Sequence, residues 1–165
     1  MKMPEIEIEQ LDPDDPEVRQ IIDTADDFYR ELYPEESNHL EPADALHQPD
    51  MLFVGCRVEG RLAASGAARV MTDDDTYAEI KRLFVLDGYR GKGLSQRIMN
   101  YLESRMRAQG ISLFRLETGI YQPEALALYG KLGYRRREPF GAYRVDPLSV
   151  FMEKRITAKA GRKTA

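Results

Sequence analysis

The stretch that decides the fold is "DGYRGKGLSQRIMNYLESRMRAQG", residues 87–110. It begins with three glycines and two cations and then becomes an uninterrupted helical pattern. Leu94, Ile98, Leu102 and Met106 follow one another at spacings of four, so one face of the predicted helix is apolar. The stretch therefore predicts a flexible, positively charged turn placed directly before an amphipathic helix.

A glycine-rich turn before a helix is suited to holding an anion. Its backbone N–H groups can converge on one point, where the helix dipole adds partial positive charge. Arg90 and Lys92 add full charges, so we predict a phosphate or pyrophosphate site; an ordinary turn with solvated cations is the alternative. A nucleotide P-loop is a poor match because Gly93 follows the lysine. A dinucleotide fold is also a poor match because these glycines follow the fourth predicted strand rather than the first.

Length and composition predict one soluble globular domain. The chain has 165 residues, of which 42% are apolar and 32% charged, enough for one core. Cys56 is the only cysteine, which excludes an internal disulfide and a Cys-rich metal site. The N-terminus alternates charge with isoleucine, unlike a secretory signal, so a cytoplasmic location is expected. We predict a single domain over residues 1–156 and a flexible tail over 157–165.

Charge is distributed unevenly along the chain. Residues 1–50 hold three Lys or Arg against sixteen Asp or Glu, whereas the remainder holds twenty-one basic and twelve acidic residues. This asymmetry favours two binding surfaces of opposite sign, although acidic residues that solvate the outer face of a helix would give the same pattern.

The periodicity predicts a mixed α/β sheet. The predicted strands are 5–11, the two arms of a hairpin over 51–71, 76–86, 111–119, 134–143 and 148–154, and the predicted helices are 16–33, the one that starts at Leu94, and 122–133. The segment 35–48 is a loop or a short helix. The strand–helix–strand succession in the middle implies one parallel pair, and the hairpins around it imply antiparallel neighbours.

The sequence resembles the GNAT superfamily of N-acetyltransferases over essentially its whole length. "RGKGLS" matches the acyl-CoA pyrophosphate motif Q/R-x-x-G-x-G/A, and "QPEALALYGKLGY" is similar to the N-x-x-A-x-x-L-Y-x-x-x-G-F/Y segment. The pattern LETG…QPEALALY…PFGAY…DPLSVFM resembles a subgroup of small bacterial members. Ser95 replaces the usual Gly or Ala and Gln122 the common Asn, which puts a cofactor contact from Gln122 in doubt.

This resemblance implies a fold and a co-substrate. The fold is a mixed, mostly antiparallel sheet flanked by helices, in which the parallel central strands splay apart and admit the pantetheine arm of acetyl-CoA. Main-chain groups of Leu83, Phe84 and Val85 are expected to contact pantetheine and thioester. The remaining cofactor-binding residues are Arg90, Gly91, Lys92, Gly93, Leu94, Ser95, Tyr129 and Lys131. No metal is expected.

Acetyl transfer to an amine needs an acid for the departing thiolate and a base for the amine. By the resemblance, Tyr129 is the acid; a buried core tyrosine is the alternative. Glu79, four residues before the predicted pantetheine contacts, is the expected base, and Glu117 on the next strand is its rival. His39 and His47 lie in a loop region without a partner pattern and are expected at the surface.

The acceptor is expected to be a primary amine, such as a cationic small amine or an amino acid, because the acidic surplus lies where the resemblance places the acceptor groove. The candidate carboxylates are Asp26, Asp27, Glu31, Glu35 and Glu36. Tyr33, Phe140 and Tyr143 are candidate aromatic walls. Family analogy suggests a homodimer, and neither a nucleic-acid nor a membrane partner is expected. An acyl-CoA-binding regulatory module without transfer is the alternative function.

Overall fold

The computed structural model describes residues 2–157 and contains one seven-stranded sheet with helices on both faces. The strands are β1 (Ile6–Gln10), β2 (Met51–Val58), β3 (Arg61–Met71), β4 (Tyr77–Val85), β5 (Leu113–Gly119), β6 (Arg135–Arg137) and β7 (Ser149–Arg155). Their order across the sheet is β1-β2-β3-β4-β5-β7-β6. All neighbours are antiparallel except β4 and β5, which are parallel. The mixed, mostly antiparallel sheet predicted from the sequence is confirmed.

In the described part of the chain, three α-helices cover the sheet: α1 (Pro16–Leu32), α2 (Leu94–Ala108) and α3 (Pro123–Lys131). Helix α1 begins where predicted because the Asp15 carboxylate accepts a hydrogen bond from the Glu17 N–H (2.9 Å) and proline occupies the first turn. It packs with Phe53, Leu62 and Phe84 on one face of the sheet. Helices α2 and α3 share a second core with the other face, as the alternation of side chains along the strands requires.

Some predicted elements are shorter in the structure. The strand predicted over 134–143 is wrong beyond Arg137: β6 covers three residues, and Pro139, which has no N–H to donate, follows soon after. Segment 35–48 contains two 3-10 helices, Glu35–Ser37 and Ala43–His47. The predicted tail falls almost wholly on residues 158–165, outside the described part of the chain.

Candidate active site

The parallel strands β4 and β5 pair over only part of their length. Three positions are in register, the last being Ile80 with Leu116, although both strands continue for several residues. After Lys81, which still pairs with Ala67, the register between β3 and β4 shifts by one residue, and Arg82 adopts a φ of +54°. A bulge of this kind bends the strand and increases its twist, so β4 turns away from β5 and a gap opens between their carboxyl ends.

Arg82 is held in its strained conformation by charge. Its buried guanidinium donates to the Asp26 carboxylate (2.7 Å) and to the carbonyl oxygen of Glu41 (2.8 Å). A non-glycine residue with positive φ is uncommon and persists where the surroundings fix it. The Asp26–Arg82 ion pair therefore ties α1 to the bulge that opens the sheet.

A groove of about 470 Å³ leads from the glycine turn into this gap. Leu83, Phe84 and Val85 form one wall, and α1 and α3 form others. Residues 81–85 have no ladder partner on the β5 side within the described residues. The carbonyl oxygens of Leu83 and Val85 accept from side chains of Tyr29 and Arg90, which leaves the main-chain N–H groups on this side to pair with a ligand. Predicted cofactor residues Arg90, Gly91, Gly93, Leu94, Ser95 and Tyr129 also line the groove.

The glycine turn leaves a set of backbone donors free. Gly91 and Gly93 have φ values of +78° and +76°, and Gly93 precedes α2 without a side-chain cap. Within residues 2–157, the N–H groups of 91–95 donate to no protein acceptor, whereas the neighbouring Arg90 N–H donates to the carbonyl oxygen of Asp87. Since free N–H groups at a helix N-terminus favour anions, the turn can hold a diphosphate.

The three cations predicted to bind the cofactor, Arg90, Lys92 and Lys131, differ in whether they line the groove. Arg90 lies over the Phe28 ring (5.1 Å from the guanidinium carbon to the ring centroid), and its Nε donates to the carbonyl oxygen of Val85 (3.3 Å). Lys92 and Lys131 are exposed and line neither the groove nor the cavity beyond it. Arg90 is thus the one of the three that the structure brings to the groove.

A smaller cavity of about 80 Å³ lies beyond the groove. Groove and cavity share four lining residues, which are Tyr29, Leu83, Gln122 and Tyr129. Tyr129 is 6% exposed, and burial raises the pKa of its phenol well above the usual value. No described residue accepts a hydrogen bond from its hydroxyl, so a protonated donor stands at the junction of the two spaces.

Glu117 lines the cavity and has no ion-pair partner among the described residues. Burial raises the pKa of its carboxyl, and the negative charge of Glu79 contributes in the same direction. A carboxylate with a raised pKa is a better proton acceptor near neutral pH than an ordinary glutamate. Of the two candidate bases, Glu117 is the one in contact with the cavity.

Glu79 is engaged elsewhere. It is 3% exposed, and its Oε2 accepts a hydrogen bond from the Tyr143 hydroxyl (2.6 Å) and lies 3.3 Å from the Lys81 ammonium. Lys81 in turn contacts Glu41 (2.7 Å). Glu79 itself does not line the cavity, whereas Lys81 and Tyr143 do. The contacts of Glu79 therefore hold two residues of the cavity wall in place.

The three predicted aromatic walls do not lie together. Tyr33 and Tyr143 line the cavity, whereas Phe140 is buried in a separate cluster with Tyr77 and Phe151. Phe140 contacts Tyr143 edge to face, with 5.1 Å between ring centroids. Phe140 therefore supports the wall that Tyr143 forms.

His39 was wrongly expected to be a simple surface residue. Its ring lines the cavity, packs edge-on against Tyr143 (5.5 Å between centroids), and places Nε2 3.4 Å from the Asp146 carboxylate. Tyr29 is a further residue of the site that the sequence did not single out. No local pattern could have revealed either, because their partners lie far away in the chain.

The acidic N-terminal residues do not gather in the cavity. An outer groove of about 580 Å³ adjoins it and is lined by Asp26, Glu35 and Glu41 as well as Arg30 and Arg82. The other predicted carboxylates, Asp27, Glu31 and Glu36, line neither space. The approach to the cavity therefore carries charges of both signs.

Two kinds of feature are absent from residues 2–157. No group of three or more His, Cys, Asp or Glu side chains there is arranged to hold a metal ion. No helix in the same range is long and apolar enough to cross a membrane.

Comparison with known proteins gives consistent matches. Residues 18–134 match the model of the acetyltransferase (GNAT) family. A protein of Azospirillum brasilense named IAA acetyltransferase is 41% identical over 92% of this chain and 99% of its own length. A solved structure from Klebsiella pneumoniae is 30% identical, with a TM-score of 0.75 over 92% of this chain and 98% of that one. The PaiA N-acetyltransferase of Thermoplasma acidophilum, solved with coenzyme A, shares the fold at 21% identity and a TM-score of 0.70, covering 92% and 99%.

Proposed function

The chain belongs to the acetyltransferase (GNAT) family and is an acyltransferase, and we propose that it moves an acetyl group from acetyl-CoA to a small primary amine by direct attack. One observation carries this proposal. Free amides at a helix N-terminus, a strand segment without a ladder partner and a buried phenol follow one another along a single groove that ends in a cavity with a carboxylate that forms no ion pair among the described residues.

In this proposal the groove binds acetyl-CoA through the backbone. The N–H groups of 91–95 hold the diphosphate, with Arg90 beside them. The pantetheine arm lies in the gap along Leu83, Phe84 and Val85, where it takes the place of a strand. A main-chain N–H in the gap can then stabilise the thioester oxygen as it becomes negative, and one such donor lowers the barrier by roughly 3 kcal/mol.

The chemistry uses the two side chains at the ends of this path. Glu117 takes the proton of the acceptor ammonium, directly or through water, and the neutral amine attacks the thioester carbon. The carbon–sulfur bond breaks, the thiolate leaves toward Tyr129, and the proton that the acylated nitrogen releases passes through water to the thiolate, so that an amide and a thiol result. Because the pKa of Tyr129 is raised, its phenol first stabilises the thiolate by donating a hydrogen bond, and complete proton transfer is uphill. Glu79 is the alternative base and otherwise positions Lys81 and Tyr143.

An ammonium suits the cavity because Glu117 forms no ion pair among the described residues, although the nearby Lys81 and His39 act to lower the pKa of its carboxyl and so offset part of its attraction for a cation. Glu35 and Glu41 extend the acidic lining into the outer groove, but Arg30 and Arg82 offset part of it. A monoamine or amino acid therefore fits better than a polyamine. The acceptor panel should also include IAA, since the 41% identical Azospirillum protein carries that name.

The test is thiol release from acetyl-CoA across a panel of amines, after thermal shift with CoA has been measured. We expect CoA to raise Tm and at least one primary amine to accelerate thiol release. A rise in Tm without amine-dependent release would support the alternative, a module that binds acyl-CoA without transferring the acyl group. No response to CoA would refute the proposal.

A further inference from the structure

Five groups form a continuous hydrogen-bonded chain across the open end of the sheet. The Tyr121 N–H donates to the Tyr33 hydroxyl (3.1 Å), and that hydroxyl donates to the Gln122 Oε1 (3.2 Å). The Gln122 Nε2 donates to the Tyr29 hydroxyl (3.4 Å), which donates to the carbonyl oxygen of Leu83 (3.0 Å). Each tyrosine hydroxyl donates one hydrogen bond and accepts another, so all four hydrogen bonds run in one direction, from the Tyr121 N–H to the Leu83 carbonyl oxygen. We call this arrangement the Tyr–Gln chain.

The Tyr–Gln chain crosses the passage between the cofactor groove and the acceptor cavity. The two spaces share Tyr29, Leu83, Gln122 and Tyr129, and the first three of these are bonded to one another in the chain. Since these four residues line both spaces, an acyl group carried along the groove would meet the acceptor where the Tyr–Gln chain and Tyr129 border the passage, which we call the constriction.

Both ends of the Tyr–Gln chain are held firmly. The Tyr33 ring stacks on Tyr121, with 5.4 Å between centroids and 21° between planes. Its hydroxyl lies so close to Gly119 that a Cβ built there would come within 1.7 Å of it, so only glycine fits at that position. At the other end, burial raises the pKa of Tyr29 to about 12, which keeps its hydroxyl protonated as a donor. The constriction is therefore rigid rather than adaptable.

The cavity beyond the constriction is small. Its volume of about 80 Å³ is roughly half that of an apolar protein cavity known to admit benzene, a six-carbon ring. A two-carbon acyl group has three heavy atoms at the thioester end, and each further methylene must compete with the incoming amine for the same space. Gln122 is central because it is the member of the Tyr–Gln chain that bonds to both tyrosines.

We propose that Gln122, fixed between Tyr29 and Tyr33, is the residue that limits the acyl group to two carbons in preference to four or more. This inference rests on the proposed function, because it assigns the acyl specificity of the same site. It also gives a role to a position where the sequence departs from the family's common Asn: the longer side chain spans the distance between the two tyrosines.

The test compares acetyl-CoA with butyryl-CoA, with one amine acceptor, in the wild type, Gln122→Ala, Gln122→Asn and Tyr29→Phe. In the wild type, kcat/KM should favour acetyl-CoA by about tenfold or more. Gln122→Ala should reduce that ratio by about tenfold, mainly through a gain with butyryl-CoA, and the Kd ratio measured by calorimetry should shift in the same direction. Gln109→Ala makes the same change at an exposed helix end and should keep the wild-type ratio.

Several results would overturn this inference. Equal use of both acyl-CoAs by the wild type would do so, and so would an equal loss with both in Gln122→Ala. If Gln122→Ala does not fold, Gln122→Asn and Tyr29→Phe replace it: Gln122→Asn is too short to reach both tyrosines, and Tyr29→Phe removes the hydroxyl that bonds to Gln122 and Leu83, while both keep most of the side chain. Absence of thiol release from every acyl-CoA would instead refute the proposed function, so the two failures are distinguishable.

Discussion

The groove proposed to bind acetyl-CoA and the cavity proposed to hold the acceptor meet at Tyr129 but are built in opposite ways. The groove uses backbone groups from two consecutive segments, the end of β4 and the turn before α2. The cavity uses side chains from α1, the loop after it, β4, β5 and the loop before β7, such as Tyr33, His39, Glu117 and Tyr143. A site made of backbone is local in sequence and tolerates many side chains, whereas a site made of converging side chains depends on each of them.

The largest expected effect tests Tyr129, one of the four residues that the two regions share. Tyr129→Phe removes one hydroxyl and keeps the ring, so kcat should fall by about 100-fold or more while the Kd for CoA changes by less than about twofold. Steady-state kinetics and calorimetry measure the two quantities. Tyr101→Phe, a change on the outer part of α2, is the matched control. An unchanged kcat would remove Tyr129 from the chemistry.

The next comparison separates the two glutamates of the cavity region. Glu117→Gln should lower kcat/KM by about 100-fold at neutral pH. The wild-type rate should decline as pH falls through the pKa of Glu117, which burial raises above 4.5, and the variant should lose that acidic limb. Glu79→Gln should act mainly on stability, because it weakens the contacts of Glu79 with Lys81 and Tyr143. If Glu79→Gln instead loses the acidic limb of the pH profile while its Tm is unchanged, Glu79 and not Glu117 is the general base.

A smaller effect is expected in the backbone-built region. Gly93→Ala places a side chain at a φ of +76°, which costs about 1–2 kcal/mol if the turn keeps its shape and displaces the free amides if it does not. The Kd for CoA should rise by about tenfold without a change in the acyl-length ratio. Gly88→Ala is the control, because Gly88 has an ordinary φ and open space around it. Equal effects of the two substitutions would contradict the turn's role in binding.

The smallest effect concerns stability and pH. The pKa of Glu117 is raised in the folded state, so the native protein binds its proton more tightly than the unfolded chain does. Well below pH 4.5 the Glu117 carboxyl is protonated in both the folded and the unfolded protein, so it does not change the free energy of unfolding. As pH rises through the pKa that Glu117 has in the folded protein, ionisation of the buried carboxyl lowers the free energy of unfolding. Glu117→Gln should therefore have a higher Tm than the wild type at pH 7, by about 2–4 °C, and an equal Tm near pH 4. A lower Tm at pH 7 would show that Glu117 stabilises the fold.

Sequence prediction succeeded where periodicity and local chemistry decide the structure. The apolar face of α2, the strict alternation of β1 and the turn around Gly60 gave elements at nearly their observed positions. It failed for most of the predicted strand over 134–143, where isolated aromatic residues such as Phe140 and Tyr143 enter a core cluster from a loop. It also misplaced His39, whose partners Tyr143 and Asp146 are more than a hundred residues away.

The sequence by itself determined the glycine turn, the order of strands and helices, and the family, because each depends on residues close together in the chain. Tertiary structure alone decided that Glu117 rather than Glu79 lines the cavity. It also decided that Gln122 hydrogen-bonds to Tyr29 in α1 and to Tyr33, the residue directly after α1. The physical reason is the bulge at Arg82: by bending β4 away from β5 it opens the gap, and only that gap fixes which side chains meet inside it.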